Sequence, residues 1–114
     1  MVDSEKLQGC WKPTRCYDGL HWYDDQMVER MAILSFAGEE YVAQANDYIY
    51  SSGVFRIDAK AAPKEIDLIQ TWMPELPDRG IYELDGDRLT IYFAGFEQER
   101  SKTFSGPFTS FTRI

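Results

Sequence analysis

Apolar and polar positions alternate with a period of two along most of this chain, and turn residues interrupt the alternation at short intervals. Such a pattern puts apolar side chains on one face of successive strands and polar ones on the other. The first run, Leu7 to Tyr17, holds Gly9 two residues before Trp11. Pro13 within it marks a bulge, an edge or a bend, because proline donates no ladder hydrogen bond. Asp18-Gly19 turns the chain. Trp22 to Met31 is the one convincing helical piece: Asp24 or Asp25 caps its start, and Tyr23, Met27 and Met31 recur every four residues as a packing stripe. From Ala32 the period returns to two. Ala32 to Ala37 alternates up to Gly38-Glu39, and Glu40 to Ile49 follows unless Asn46-Asp47 breaks it. Tyr50 to Gly53 reads as a turn or an irregular strand start before Val54 to Asp58.

Glu65 to Trp72 alternates cleanly, with Ile66, Leu68 and Trp72 inward. Gln70 shares that face, where a polar group needs a partner or a wet interior. Residues 73–78 contain two prolines and read as a surface loop. The strongest local signal is the hairpin from Ile81 to Phe93, because Asp85-Gly86 tolerates the positive φ of a two-residue turn. A turn set there puts Tyr82 opposite Leu89 and Glu83 opposite Arg88. Residues 95–106 form a polar loop, and Phe108 to Ile114 is the closing strand, with Phe111 and Arg113 on one face. The expectation is an all-β, eight-stranded antiparallel up-and-down barrel with one short helix after the first strand. Pairing of the last strand with the first would remove both exposed edges.

Composition narrows the function more than it names one. The 114 residues form one domain, and a 15% aromatic content suits strands. A net charge of −7, with acids in excess in both halves, argues against a nucleic-acid binder, which needs a basic footprint. No run approaches the roughly 20 apolar residues of a membrane span. Met-Val-Asp-Ser-Glu-Lys has no apolar run behind it that would read as a leader, so a cytoplasmic protein is expected. Cys10 and Cys16, on one extended strand, would lie about 20 Å apart and stay reduced.

Candidate chemistry is sparse. His21 is the only histidine, which removes histidine triads and multi-histidine zinc sites. It lies in a loop before the helix and reads as a surface histidine. Asp24-Asp25 read as helix caps, and Asp85 with Gly86 as turn chemistry. No catalytic set, metal site or cofactor is indicated.

Gly9-x-Trp11 resembles the opening signature of the lipocalin/calycin group, in which an arginine near the last strand packs over the tryptophan; Arg113 is the matching position. Three segments together resemble a bacterial family of uncharacterised lipocalin-like domains, abundant in planctomycetes. They are Leu7-Gln8-Gly9-x-Trp11-Lys12, Pro63-Lys64-x-Ile66-Asp67-Leu68 and Gly80-Ile81-Tyr82-x-Leu84-Asp85-Gly86-Asp87-x-Leu89. The resemblance implies a lipocalin-like barrel with Gly9, Trp11 and Arg113 in structural roles, and it brings no catalytic residues. Cys10 beside the tryptophan and the Ser/Thr/Phe-rich last strand depart from the family pattern.

An eight-stranded barrel either fills its interior with side chains or holds one small ligand. Two function classes follow. In one, a small apolar molecule sits in the barrel among Phe55, Gln70, Trp72, Tyr82 and Phe93, entering at the end that carries loops 73–79 and 95–106. In the other, a filled barrel is a structural or protein-interaction module, with a homodimer formed through the outward residues Ile69, Ile81 and Tyr92.

Overall fold

The computed structural model describes residues 2–94 and 99–114. Eight antiparallel strands close into an up-and-down barrel in sequence order, β8 pairing with β1. The strands are β1 (Gly9–Tyr17), β2 (Ile33–Ala37), β3 (Glu40–Ala45), β4 (Tyr48–Asp58), β5 (Glu65–Gln70), β6 (Asp78–Asp85), β7 (Arg88–Phe93) and β8 (Phe108–Arg113). Two short helices accompany them, α1 (Asp3–Lys6) and α2 (Asp25–Glu29). No helix among the described residues is long and apolar enough to cross a membrane.

The inward faces meet in one core. Trp11, Leu34, Phe36, Tyr41, Phe55, Ile66, Leu68, Tyr82, Leu89, Ile91 and Phe111 are buried there together with Leu7. Every second residue of each strand enters it, which is why the alternation was informative. At Pro13 the register with β8 shifts by one, so that Thr14 is squeezed out and Cys16 returns to the interior opposite Thr109.

One end of the barrel is shut. Trp11 is fully buried, and its indole Nε1 donates to Leu7 O at 2.9 Å. Arg113, paired in register with Trp11, lays its guanidinium 4.2 Å from the ring centroid. The same guanidinium donates to Gln8 O at 2.7 Å, to Lys6 O, and to Asp87 Oδ1 at 3.1 Å. It thereby ties α1, the β7 turn and β8 to one another. Gly9 sits at φ +115°, a backbone conformation that residues with a side chain rarely adopt, and so carries the chain from α1 into β1 beside Arg113. Beneath this layer Asp3 accepts from Lys64 Nζ at 2.9 Å and from Tyr82 Oη at 2.7 Å.

Several sequence expectations need correction. Residues 3–6 form the short helix α1, and Leu7, read as the first residue of the first strand, packs in the core outside β1. The second helix is only Asp25–Glu29, capped by Asp24, whose Oδ1 accepts from Met27 N at 2.9 Å. Its buried residue is Val28, while Met27 is exposed. The helix covers a gap, because β1 and β2 pair through only three residues, Gly9 to Trp11. Asn46, at φ +53°, turns the chain between β3 and β4, and residues 50–53 belong to β4, with a register irregularity at Tyr50 where Ala43 faces Ser51 and Gln44 faces Ile49, so the strand is irregular there and not a turn. The β6–β7 turn is Gly86-Asp87, one residue later than expected; Gly86 takes φ +59°, and Asp85 pairs with Arg88. Tyr82 therefore faces Ile91, and Glu83 faces Thr90. The slip moves partners by two, so every side chain keeps its face.

The outward patch is also different. Ile81 is 1% exposed, because the 99–105 segment crosses the outside of β5, β6 and β7. Arg100 donates there to Gly80 O at 2.9 Å and pairs with Asp67 at 2.8 Å, while Phe104 meets the Tyr92 ring at 5.5 Å.

Trp11→Ala is expected to cost about 3–5 kcal/mol of unfolding free energy through the void left in the core. Arg113→Ala should cost about 1–3 kcal/mol, and Arg113→Lys should recover less than half, because an ammonium cannot span the same carbonyls. Urea titrations of the three variants check both.

Candidate functional site

At the other end of the barrel lie the 18–32 segment with α2, the Asn46-Asp47 turn, residues 71–77, and Ala94 and Pro107 at the two ends of the β7–β8 connection. Loops 73–79 and 95–106 were expected to share an end. Residues 73–77 lie there, whereas Asp78 and Arg79 belong to β6, residues 99–105 cross the outside of β5 to β7, and residues 95–98 lie outside the described residues.

The five residues expected around a ligand are not brought together. Phe55 is in the packed core, its ring centroid 4.6 Å from that of Phe36. Tyr82 is 1% exposed and spends its hydroxyl on Asp3 at the shut end. Trp72 is 69% exposed: β5 ends at Gln70, so alternation no longer directs the side chain inward. Gln70 is half-buried opposite Gly53. Phe93, half-buried at the end of β7, is the one of the five that borders an opening at the barrel mouth.

That opening is a cleft of about 290 Å³ at the barrel mouth. Its floor comes from the inward residues Cys16, Asp78, Phe93 and Thr109, and its rim from Tyr17, Asp18, Pro107 and Phe108. The rim is held in place locally. Asp18 Oδ1 accepts from the amides of Leu20 and His21 at 2.8 and 2.7 Å, closing a turn in which Tyr17 Oη donates to Gly19 O. These bonds keep the Asp18 carboxyl below its usual range, the His21 amide contributing most. Cys16 Sγ lies 3.5 Å from Thr109 Oγ1.

Asp78 is the group that sequence reasoning missed. Two nearby prolines assign it to a loop, yet it pairs with Leu68 as the first residue of β6. Counting back by twos from Tyr82, through Gly80, would have placed it inward. Its Oδ1 is sealed from water and has no hydrogen-bond partner among the described residues. Asp67 Oδ1 also lacks a hydrogen bond of good geometry, but Arg100 Nη2 neutralises it at 2.8 Å. Asp78 has no such cation. Desolvation, reinforced by the negative charge of Asp67, pushes its carboxyl up to about 6. Asp3 shows the opposite behaviour, because the bond from Lys64 holds its carboxyl below the ordinary range despite burial.

A wider depression of about 580 Å³ lies beside α1, between Ser4, Glu39 and Arg56, but no buried polar atom in its lining is left unpartnered. Among the described residues no group of three or more His, Cys, Asp or Glu side chains is placed to hold a metal ion. The arrangement at the mouth can therefore bind by hydrogen bonding, charge and aromatic contact. No family model, curated protein or solved structure matches the chain.

Native Asp78 retains a proton between pH 3.8 and about 6 that the unfolded chain releases. Its contribution to stability is full below pH 3.8 and is lost as pH rises through 6. Asp78→Asn should accordingly stabilise the fold by on the order of 2 kcal/mol at pH 7.5 and by little at pH 4. Urea midpoints at the two pH values read this out.

Proposed function

We propose that this barrel is a non-catalytic binding module for a small, largely apolar molecule, held at the open mouth rather than inside the barrel. The observation that carries this is Asp78: half-buried in an open cleft that Tyr17, Phe93 and Phe108 also line, it has one carboxylate oxygen sealed from water and without a partner among the described residues. An unsatisfied buried charge costs free energy, and such groups cluster where a partner is to arrive. The interior offers little alternative, since Trp11, Phe36, Tyr41, Phe55 and Tyr82 occupy it together. A cleft of about 290 Å³ is at the low end for small-molecule sites, which run roughly 300–1,000 Å³, so the occupant is small. The lipocalin-like resemblance is compatible with this reading and does not carry it.

Indole is a suitable apolar probe. In a ¹H–¹⁵N titration, saturable shifts should centre on Cys16, Phe93 and Thr109, and Phe93→Ala should weaken them about tenfold. Shifts centred on Phe55 and Leu68 would put the site in the interior, and no saturable shift would reject a small-molecule site.

A second reading, the interaction module, is favoured by a different observation. Tyr48, Ile49 and Tyr50 are exposed at the start of β4. Trp72 leaves β5 just after Thr71, whose amide donates to Ser52 O at 3.0 Å. Exposed apolar groups of this size mark contact surfaces once they are contiguous. In a homodimer formed there, sedimentation between about 1 and 100 μM would show a mass increase that Trp72→Ser reduces, placing the dissociation constant in that range. A monomer throughout would reject it.

A further inference from the structure

The chemistry of the mouth points to one ligand class, and the inference deepens the small-molecule reading and rests on it. We propose that the cleft binds an alkylammonium group, with its nitrogen on Asp78 and its carbon substituents between Tyr17, Phe93 and Phe108.

Asp78 is half-buried in the cleft lining and, among the described residues, has no donor at its sealed Oδ1 and no compensating charge, so a ligand in the cleft would meet the carboxylate at its other oxygen. A hydroxyl or amide would supply only the donor, whereas an ammonium supplies both. The walls suit the same group, because aromatic faces carry negative potential and attract cations. This aromatic cluster already does so on its outer side, where Arg15 Cζ lies 5.0 Å from the Trp22 ring centroid and 5.9 Å from that of Phe108. Trp22 in turn packs on Tyr17 at 5.0 Å and on Phe108 at 5.5 Å. Tyr17 and Phe108 of this cluster also line the cleft, and no cation is among its lining residues.

The surrounding charges agree. Asp67 on β5, though paired with Arg100, raises the Asp78 carboxyl, and Asp18 at the end of β1 lines the cleft; Tyr41 on β3 is a neutral phenol whose ionisation is opposed by burial first and by Asp78 as well. Cys16 of β1 and Thr109 of β8 bring dipoles only, and Phe93 of β7 brings none. Of the cations, Arg15 is engaged with Trp22 and Phe108, Arg100 with Asp67, and Arg79, next to Asp78 in β6, is exposed. The protein's net charge of −7 favours the approach of a cation from any side.

The test is a ¹H–¹⁵N titration with n-butylammonium chloride and with n-butanol, at matched ionic strength, at pH 7.5 and 5.0. At pH 7.5 the ammonium should saturate the shifts of Cys16, Phe93 and Thr109 at a concentration at least tenfold lower than the alcohol. At pH 5.0, one unit below the carboxyl's value of about 6, roughly a tenth of Asp78 is ionised and the preference should fall about tenfold. Asp78→Asn should abolish the preference while keeping n-butanol at the cleft. If that variant fails to fold, the pH series on the unmodified protein decides. Equal saturation by the two probes at pH 7.5, or a preference that survives at pH 5.0, overturns the ammonium assignment and leaves the small-molecule reading standing. Absence of saturable cleft shifts with either probe overturns both.

Discussion

Arg113 over Trp11 is the contact through which the barrel becomes a closed object, and the rest of the fold depends on it. Open sheets carry two edges of unpaired amides and carbonyls, and closure removes them only if the first and last strands stay together. Here the pairing of β1 with β8 ends at the Trp11–Arg113 position. The arginine reaches from there to carbonyls of Lys6 and Gln8 and to Asp87 in the β7 turn. One side chain thus ties both chain termini to a hairpin on the opposite side of the closure. A cation over a buried ring contributes roughly 0.5–2 kcal/mol by itself. Its larger effect is geometric, because it holds α1 across the end and lets Leu7 and Asp3 complete the layer.

Shutting one end this firmly makes the two ends chemically unequal. At the shut end the buried acid has every partner it needs: Lys64 supplies charge, and Tyr82 supplies a hydroxyl. At the open end the buried acid has none among the described residues. The same carboxyl chemistry is therefore moved in opposite directions, Asp3 downward and Asp78 upward. The connections divide less sharply. The shut end has the tight turns Gly38-Glu39 and Gly86-Asp87 and the 59–64 connection, and the open end has the tight Asn46-Asp47 turn and the longer segments 18–32 and 71–77. A rigid end with compensated charge and a looser end with an uncompensated one is an arrangement suited to binding at the second.

Much of the fold was legible because alternation and turn chemistry act locally. The face of each residue in β5 and β7 follows from period two alone, and the hairpin from Ile81 to Phe93 survives a misplaced turn because partners shift in steps of two. The site was much less legible. Alternation fixes a face only while the strand lasts, so Trp72, two residues beyond β5, left the interior. Proline rules are statistical at strand starts, so Asp78, directly after Pro77, was assigned to a loop although it opens β6. Ile81 was expected outside on correct alternation, yet it is buried, because Arg100 and Phe104 bring a distant segment over it. That cover depends on tertiary approach, which no local period encodes.

The position of Asp78 also bears on why such a group would be kept. An asparagine of similar size would relieve the desolvation and the repulsion from Asp67 that push the carboxyl upward. Stability by itself thus favours replacement, and the neighbouring mouth residues Thr109 and Cys16 show that neutral side chains fit this layer. A protein that needed only a packed end could have repeated the solution of its shut end, where a lysine reaches the acid. Leaving the charge bare costs stability that a bound cation would restore, which couples occupancy of the mouth to the stability of the barrel. The proposed alkylammonium would thus draw its affinity from the same carboxyl whose desolvation weakens the empty fold.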